Sequence, residues 1–178
     1  MSCWFVYHSI GIIINDDSNE EKQSHLRDIN FQGFAAWLTT EGVWDVSRLG
    51  VYQLCNVLEE DLDYYIDGYD KVGPHLKACI LPAEVWISLS AKVLRFCWLN
   101  GEGADWNDLP GGRHWKGRKG FSVTRWQFWK QKLDEIAVNK EASKETWRIA
   151  KKMKEKMIAT EAEAEGWTRM KVPYNNFR

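Results

Sequence analysis

Apolar residues recur along most of this chain at the spacing of helices rather than strands. Between Ser18 and Thr40, Leu26, Ile29, Phe34, Trp37 and Leu38 fall at helical intervals, which predicts an amphipathic helix with one apolar face. Ser18-Asn-Glu-Glu21 has the spacing of a capping box, and Gly42 supplies the stop. A second helix is predicted from Asp45, a good N-cap, through Val46, Leu49, Leu54, Val57 and Leu58 into the acidic run that begins at Glu59. Gly68, Gly73 and Pro74 then break the chain. Pro82 suits the first turn of a third helix, over 82–99, which is apolar on nearly all sides and is therefore central. Glu84, Lys92 and Arg95 interrupt it, which argues against a membrane span.

Residues 100–120 read as a long glycine-rich loop. A fourth helix follows Ser122, with Trp126, Trp129, Leu133 and Ile136 on one stripe. A fifth follows Ser143, with Trp147, Ala150, Met153 and Met157 on another. Residues 3–14 are apolar without clean alternation, as in a short strand or a buried arm. The fold class expected is all-α: a single-domain, irregular bundle of about five helices with the long loop. An arm over 1–15 precedes a helical domain over 16–165, and an irregular tail over 166–178 follows it.

Composition changes the picture in two places. Eleven tryptophans in 178 residues must mostly be buried, and each buried ring needs a partner for its N–H. The net charge of −1 hides an asymmetry: residues 1–70 hold thirteen acids and three bases, residues 71–178 twelve acids and twenty-one bases. The favoured reading is that the halves pack together and neutralise each other. Cys3, Cys55, Cys79 and Cys97 show no C-x-x-C spacing and read as reduced core residues. The apolar start lacks the basic n-region of a signal peptide, so the expected location is the cytoplasm, with no membrane partner.

Candidate chemistry is sparse. The acidic run Glu59, Glu60, Asp61, Asp63, Asp67 and Asp70 does not fit the EF-hand pattern and reads as a solvated helix end; no metal site is expected. Arg113-His-Trp-Lys-Gly-Arg-Lys119 mixes bases with aromatics, as single-strand binders do, but no RNP, KH or zinc-finger pattern accompanies it. The reading preferred here is a surface loop whose Trp115 packs back on the bundle, and nucleic acid is disfavoured as a partner. His114, beside Asp105 and Asp108, is the histidine to test as a general acid or base.

Three segments carry a resemblance. They are Asn30-Phe-x-x-Phe-Ala-Ala-Trp-Leu-Thr-x-x-Gly42-Val, then Tyr52-x-Leu-x-x-Val-Leu-Glu-Glu-Asp-Leu62, then Trp115-x-Gly-x-x-Gly-Phe-Ser-x-x-Arg-Trp-x-Phe-Trp-Lys130. Together, over about residues 16–160, they resemble a family of fungal, mostly helical proteins catalogued only as a domain of unknown function. The resemblance implies a fungal source, an all-helical fold and no cofactor. It transfers no catalytic residues. It also implies that the first fifteen residues stand in place of a front helix.

Two functions are expected from different classes. In the first, Trp86, Trp126 and Trp129 wall an aromatic pocket for an apolar small molecule. His114 and Arg125 are its polar handles and the only catalytic candidates. This would suit a cofactor-independent isomerase or cyclase, or an accessory protein of secondary metabolism. In the second, the basic loop and last helix form a non-catalytic surface for a protein partner.

Overall fold

The computed structural model describes residues 18–60, 72–99, 111–120 and 122–167, with side chains described over 23–60, 76–95, 111–120 and 122–163. Five helices are present: α1 (Ser18–Thr40), α2 (Ser47–Leu58), α3 (Val72–Leu99), α4 (Val123–Val138) and α5 (Lys144–Trp167). They form one all-α bundle, and no strand occurs among the described residues. The apolar stretch 3–14, the acids from Asp61 to Asp70, and Asp105 and Asp108 lie outside the described residues, as does the tail beyond Trp167.

Several boundaries follow from local chemistry. Gly42 adopts φ 68°, where only glycine is comfortable. It closes α1 with a paired bond set, its N–H reaching the Thr39 carbonyl and the Val43 N–H the Leu38 carbonyl. Ser122 caps α4 by accepting from the Arg125 N–H at 3.1 Å, and Ser143 caps α5 by accepting from the Thr146 N–H at 3.1 Å. The α4 stripe of Trp126, Trp129, Leu133 and Ile136 is buried, as are Ala150, Met153 and Met157 on α5.

Three expectations need correction. Asp45 does not begin α2. It stands before Val46 and accepts from the Ser47 N–H and hydroxyl, an Asx-type turn that leaves the helix to start at Ser47. Pro82 does not begin α3, which starts at Val72 and carries Pro82 inside. Pro74, in the first turn, is the proline that sits where a missing N–H is harmless. An interior proline costs about 3 kcal/mol, and α3 accepts that cost because α1, α2 and α5 pack around it. Ala83, Trp86, Ile87, Ala91 and Leu94 are all buried there, although Leu89 stays exposed.

The third correction concerns α1. The large side chains Leu26, Phe34 and Trp37 face outward, and the buried positions are Gln32, Ala35, Ala36 and Thr39. Small residues allow α1 to approach α3 closely. A Cβ on Gly33 would already touch Val85 at 3.6 Å. Polar bonds then hold the seam: the Ser90 hydroxyl donates to the Ala36 carbonyl at 2.8 Å, and the Trp86 indole donates to the Gln32 side-chain oxygen at 2.8 Å. Across the same core, the Trp86 ring lies so close to α2 that a Cβ on Gly50 would stand 2.6 Å from it.

α4 and α5 form an antiparallel hairpin. Trp147 anchors the turn by donating to the Asn139 carbonyl at 2.7 Å, and Lys130 meets Glu161 at the far end at 2.8 Å. Ion pairs Lys154–Asp134, Lys152–Glu84, Lys77–Glu145 and Lys92–Glu163 tie α5 to its neighbours, so its cations are partly neutralised within the bundle.

Candidate functional site

Buried polar bonds gather at the end of α2. Glu59 is the C-cap of α2, and its side chain is fully buried. It continues the inward face of α2, lying four residues beyond buried Cys55 and eight beyond buried Val51. Its carboxylate meets Arg125, which the first turn of α4 delivers, in a two-point ion pair: Nε to Oε1 at 2.6 Å and Nη2 to Oε2 at 2.8 Å. The Trp129 indole, one turn further along α4, donates to Oε1 at 2.5 Å, and the Gly112 N–H donates to Oε2 at 2.9 Å. Four donors thus serve two oxygens.

Arg125 is equally committed. Its Nη1 donates to the Gly120 carbonyl at 2.8 Å and its Nη2 to the Cys55 sulfur at 2.9 Å. Its guanidinium carbon stands 5.8 Å from the centre of the Trp115 ring and 5.6 Å from that of Trp129, within cation–π range of both. Burial works against its charge, but hydrogen bonding to Glu59 and the nearby acidic groups outweigh this, so its pKa lies above the ordinary value.

This node anchors residues 111–120. Besides the Gly112 bond, the His114 N–H donates to the Glu59 main-chain carbonyl at 2.7 Å, and the Arg113 N–H approaches Glu60 Oε2 at 3.4 Å. Gly112 must lack a side chain, because a Cβ would stand 2.6 Å from the Cβ of Glu59. Trp115 folds down against Phe128, ring centres 5.4 Å apart, and its indole donates to the Arg118 carbonyl at 2.8 Å. Gly120 turns the chain into α4 at φ 77°. Around this inner frame Arg113, His114, Lys116, Arg118 and Lys119 are exposed. The product is a basic turn whose backbone is stapled to a buried carboxylate.

The residues singled out from sequence divide between two places. Arg125, Trp126 and Trp129 share the first two turns of α4, and His114 joins the same node through its backbone, its side chain being exposed. Trp86 belongs to the seam of α1, α2 and α3, with Gln32 and Gly50. Trp126 lies 6.3 Å from Trp129, is 2 % exposed, and has no partner for its indole N–H among the described residues. Arg125 is held by Glu59 on one side and Gly120 on the other. The reading of Glu59 as part of a solvated helix end is overturned, since burial with Arg125 replaces water by four protein donors. Among the described residues, no three acidic, histidine or cysteine side chains converge as metal ligands, and no helix is long and apolar enough to cross a membrane.

Residues 2–133 match the family described as protein of unknown function (DUF3632), and the chain belongs to it. No curated protein and no solved structure matches the chain. The matched region contains the whole Glu59–Arg125 node and the basic turn. It also includes the segment ahead of α1, and it ends in α4 before α5 begins.

Proposed function

We propose that this is a non-catalytic protein-interaction domain whose basic turn, residues 113–119, receives an acidic segment of a partner protein. The observation that carries the reading is the stapled backbone: Gly112 and His114 donate to Glu59 while four cations, Arg113, Lys116, Arg118 and Lys119, remain exposed on seven residues without an acid. A loop held in one conformation before binding loses less entropy on association. The basic start of α5 does not join this surface. α5 runs antiparallel to α4, so its end near Glu161 lies beside the first turns of α4 next to the turn. Lys144 and Arg148 sit at the opposite end of the hairpin, roughly 20–26 Å away at 1.5 Å per residue.

The test is titration of the full chain with a fluorescent glutamate-rich peptide at low and moderate salt. Binding is expected to weaken steeply with salt and to fall at least about tenfold when Lys116, Arg118 and Lys119 become alanine. No binding, or binding indifferent to those substitutions, would overturn it. Tighter binding of a single-stranded oligonucleotide than of the peptide would redirect it to nucleic acid.

A second reading is favoured by one observation. The Trp126 N–H is buried without a partner, which leaves a polar handle for an apolar small molecule carrying one acceptor. This reading retains the fungal, cofactor-free, secondary-metabolism role for the aromatic cluster. Quenching of tryptophan emission by such a compound, abolished in Trp126→Phe, would support it; emission that no such compound changes would count against it.

A further inference from the structure

α1 presents its large apolar side chains to solvent. Leu26, Phe31, Phe34 and Trp37 are 59 %, 52 %, 57 % and 48 % exposed, and Val43 and Trp44 just beyond the helix are 65 % and 66 % exposed. The Phe34 and Trp37 rings stack, with centroids 6.1 Å apart and planes inclined at 24°. Isolated exposed apolar residues are ordinary, but a contiguous aromatic strip on one helix is the mark of a covered surface.

We propose that the cover is this chain's own segment Cys3–Ile14, folded back along the outer face of α1. The chemistry of the segment suits the face. Trp4, Phe5, Val6, Tyr7, Ile10, Ile12, Ile13 and Ile14 make it largely aliphatic and aromatic, and it holds no Asp, Glu, Lys or Arg. Its place in the chain suits it too, because Ile14 lies four residues ahead of Ser18, the first residue of α1. The axial distance from Ser18 to Trp37 is roughly 29 Å at 1.5 Å per residue. Twelve residues span roughly 40 Å when extended, enough to run from the start of α1 past Phe34 and Trp37. A tether this short raises the local concentration of the segment to about the millimolar range, which favours it over a free partner. The family match begins at residue 2, so the matched region includes this segment together with α1, α2, α3 and most of α4. The partner proposed for the basic turn plays no part in this inference.

Hydrogen exchange read by mass spectrometry on the full chain tests it. Amides in residues 4–14 are expected to exchange at least about tenfold more slowly than an unfolded chain, at every protein concentration used. Phe34→Glu with Trp37→Glu should return them to the unfolded rate while protection in α3 and α4 persists. Ile12→Glu with Ile13→Glu, which leaves every described helix untouched, should do the same and should add binding of an apolar dye. Unprotected residues 4–14 in the native chain would overturn the proposal, as would protection that survives both variants. Protection that appears only at high protein concentration would assign the face to a second copy and also overturn it.

Discussion

Two of the seams in this bundle each bury a tryptophan N–H in a different way. Between α1, α2 and α3, Trp86 donates to a neutral amide, Gln32, and the helices meet through alanine and glycine. Between α2, the basic turn and α4, Trp129 donates to a carboxylate that also carries Arg125 and a backbone N–H. The neutral seam is a close-packing solution, in which shape matters most and polar bonds fix the register. The charged seam fixes a loop: the Glu59 carboxylate accepts from the Gly112 N–H, and the Glu59 main-chain carbonyl accepts from the His114 N–H. Buried ions are costly unless fully satisfied, and here the satisfied pair positions residues 111–120 against the end of α2.

The contrast predicts a ranking of effects in urea denaturation. Glu59→Gln or Arg125→Met leaves one buried partner unmatched and is expected to cost about 3–5 kcal/mol, the largest single-site loss. A loss under about 1 kcal/mol would show that water compensates and that the node is not sealed. Next comes Gly50→Ala, whose new methyl collides with the Trp86 ring and is expected to cost about 1–3 kcal/mol. Gln32→Leu removes the acceptor of the Trp86 N–H without altering the helix, with an expected loss of about 1–3 kcal/mol.

The indoles of α4 sharpen the comparison further. Trp129→Phe forfeits a bond to a charged acceptor, whereas Trp126→Phe forfeits none, so Trp129→Phe should be the more destabilising by about 1.5–3 kcal/mol. Equal losses would show that ring volume, not the N–H bond, decides the charged seam. The smallest effect expected is a pH dependence at Cys79. Burial, helped by the Asp28 charge, pushes its thiol from 9.0 up to about 12. Below pH 9.0 both states keep the proton and the contribution is fully present. As pH rises from 9.0 toward 12 the unfolded chain releases it first, so stability falls across that window. Cys79→Ala should flatten part of that alkaline decline, and an unchanged slope would place its cause elsewhere.

Much of the fold was legible in the chain. Ser122 and Ser143 cap the helices that follow them, Gly42 ends α1, and the stripes of α4 and α5 turn inward, because each depends on residues within a turn or two of one another. The candidate site was only half legible. The run around Trp115 and Arg125 stood out by composition. Its acceptor did not, because Glu59 heads an acidic stretch, and only its four-residue spacing from Cys55 hinted at an inward direction.

The sequence by itself determined where α1, α4 and α5 form and where α1 stops, since capping, glycine conformation and apolar period act locally. Which face of α1 turns inward, why Pro82 sits within α3, and that Glu59 is dry were decided by tertiary structure alone. Each depends on a neighbour more than forty residues away or on a whole surrounding layer: Trp86 for Gln32, Arg125 for Glu59, and the flanking helices for Pro82. No local rule can weigh a partner that distant, because its contribution exists only once the layers have met.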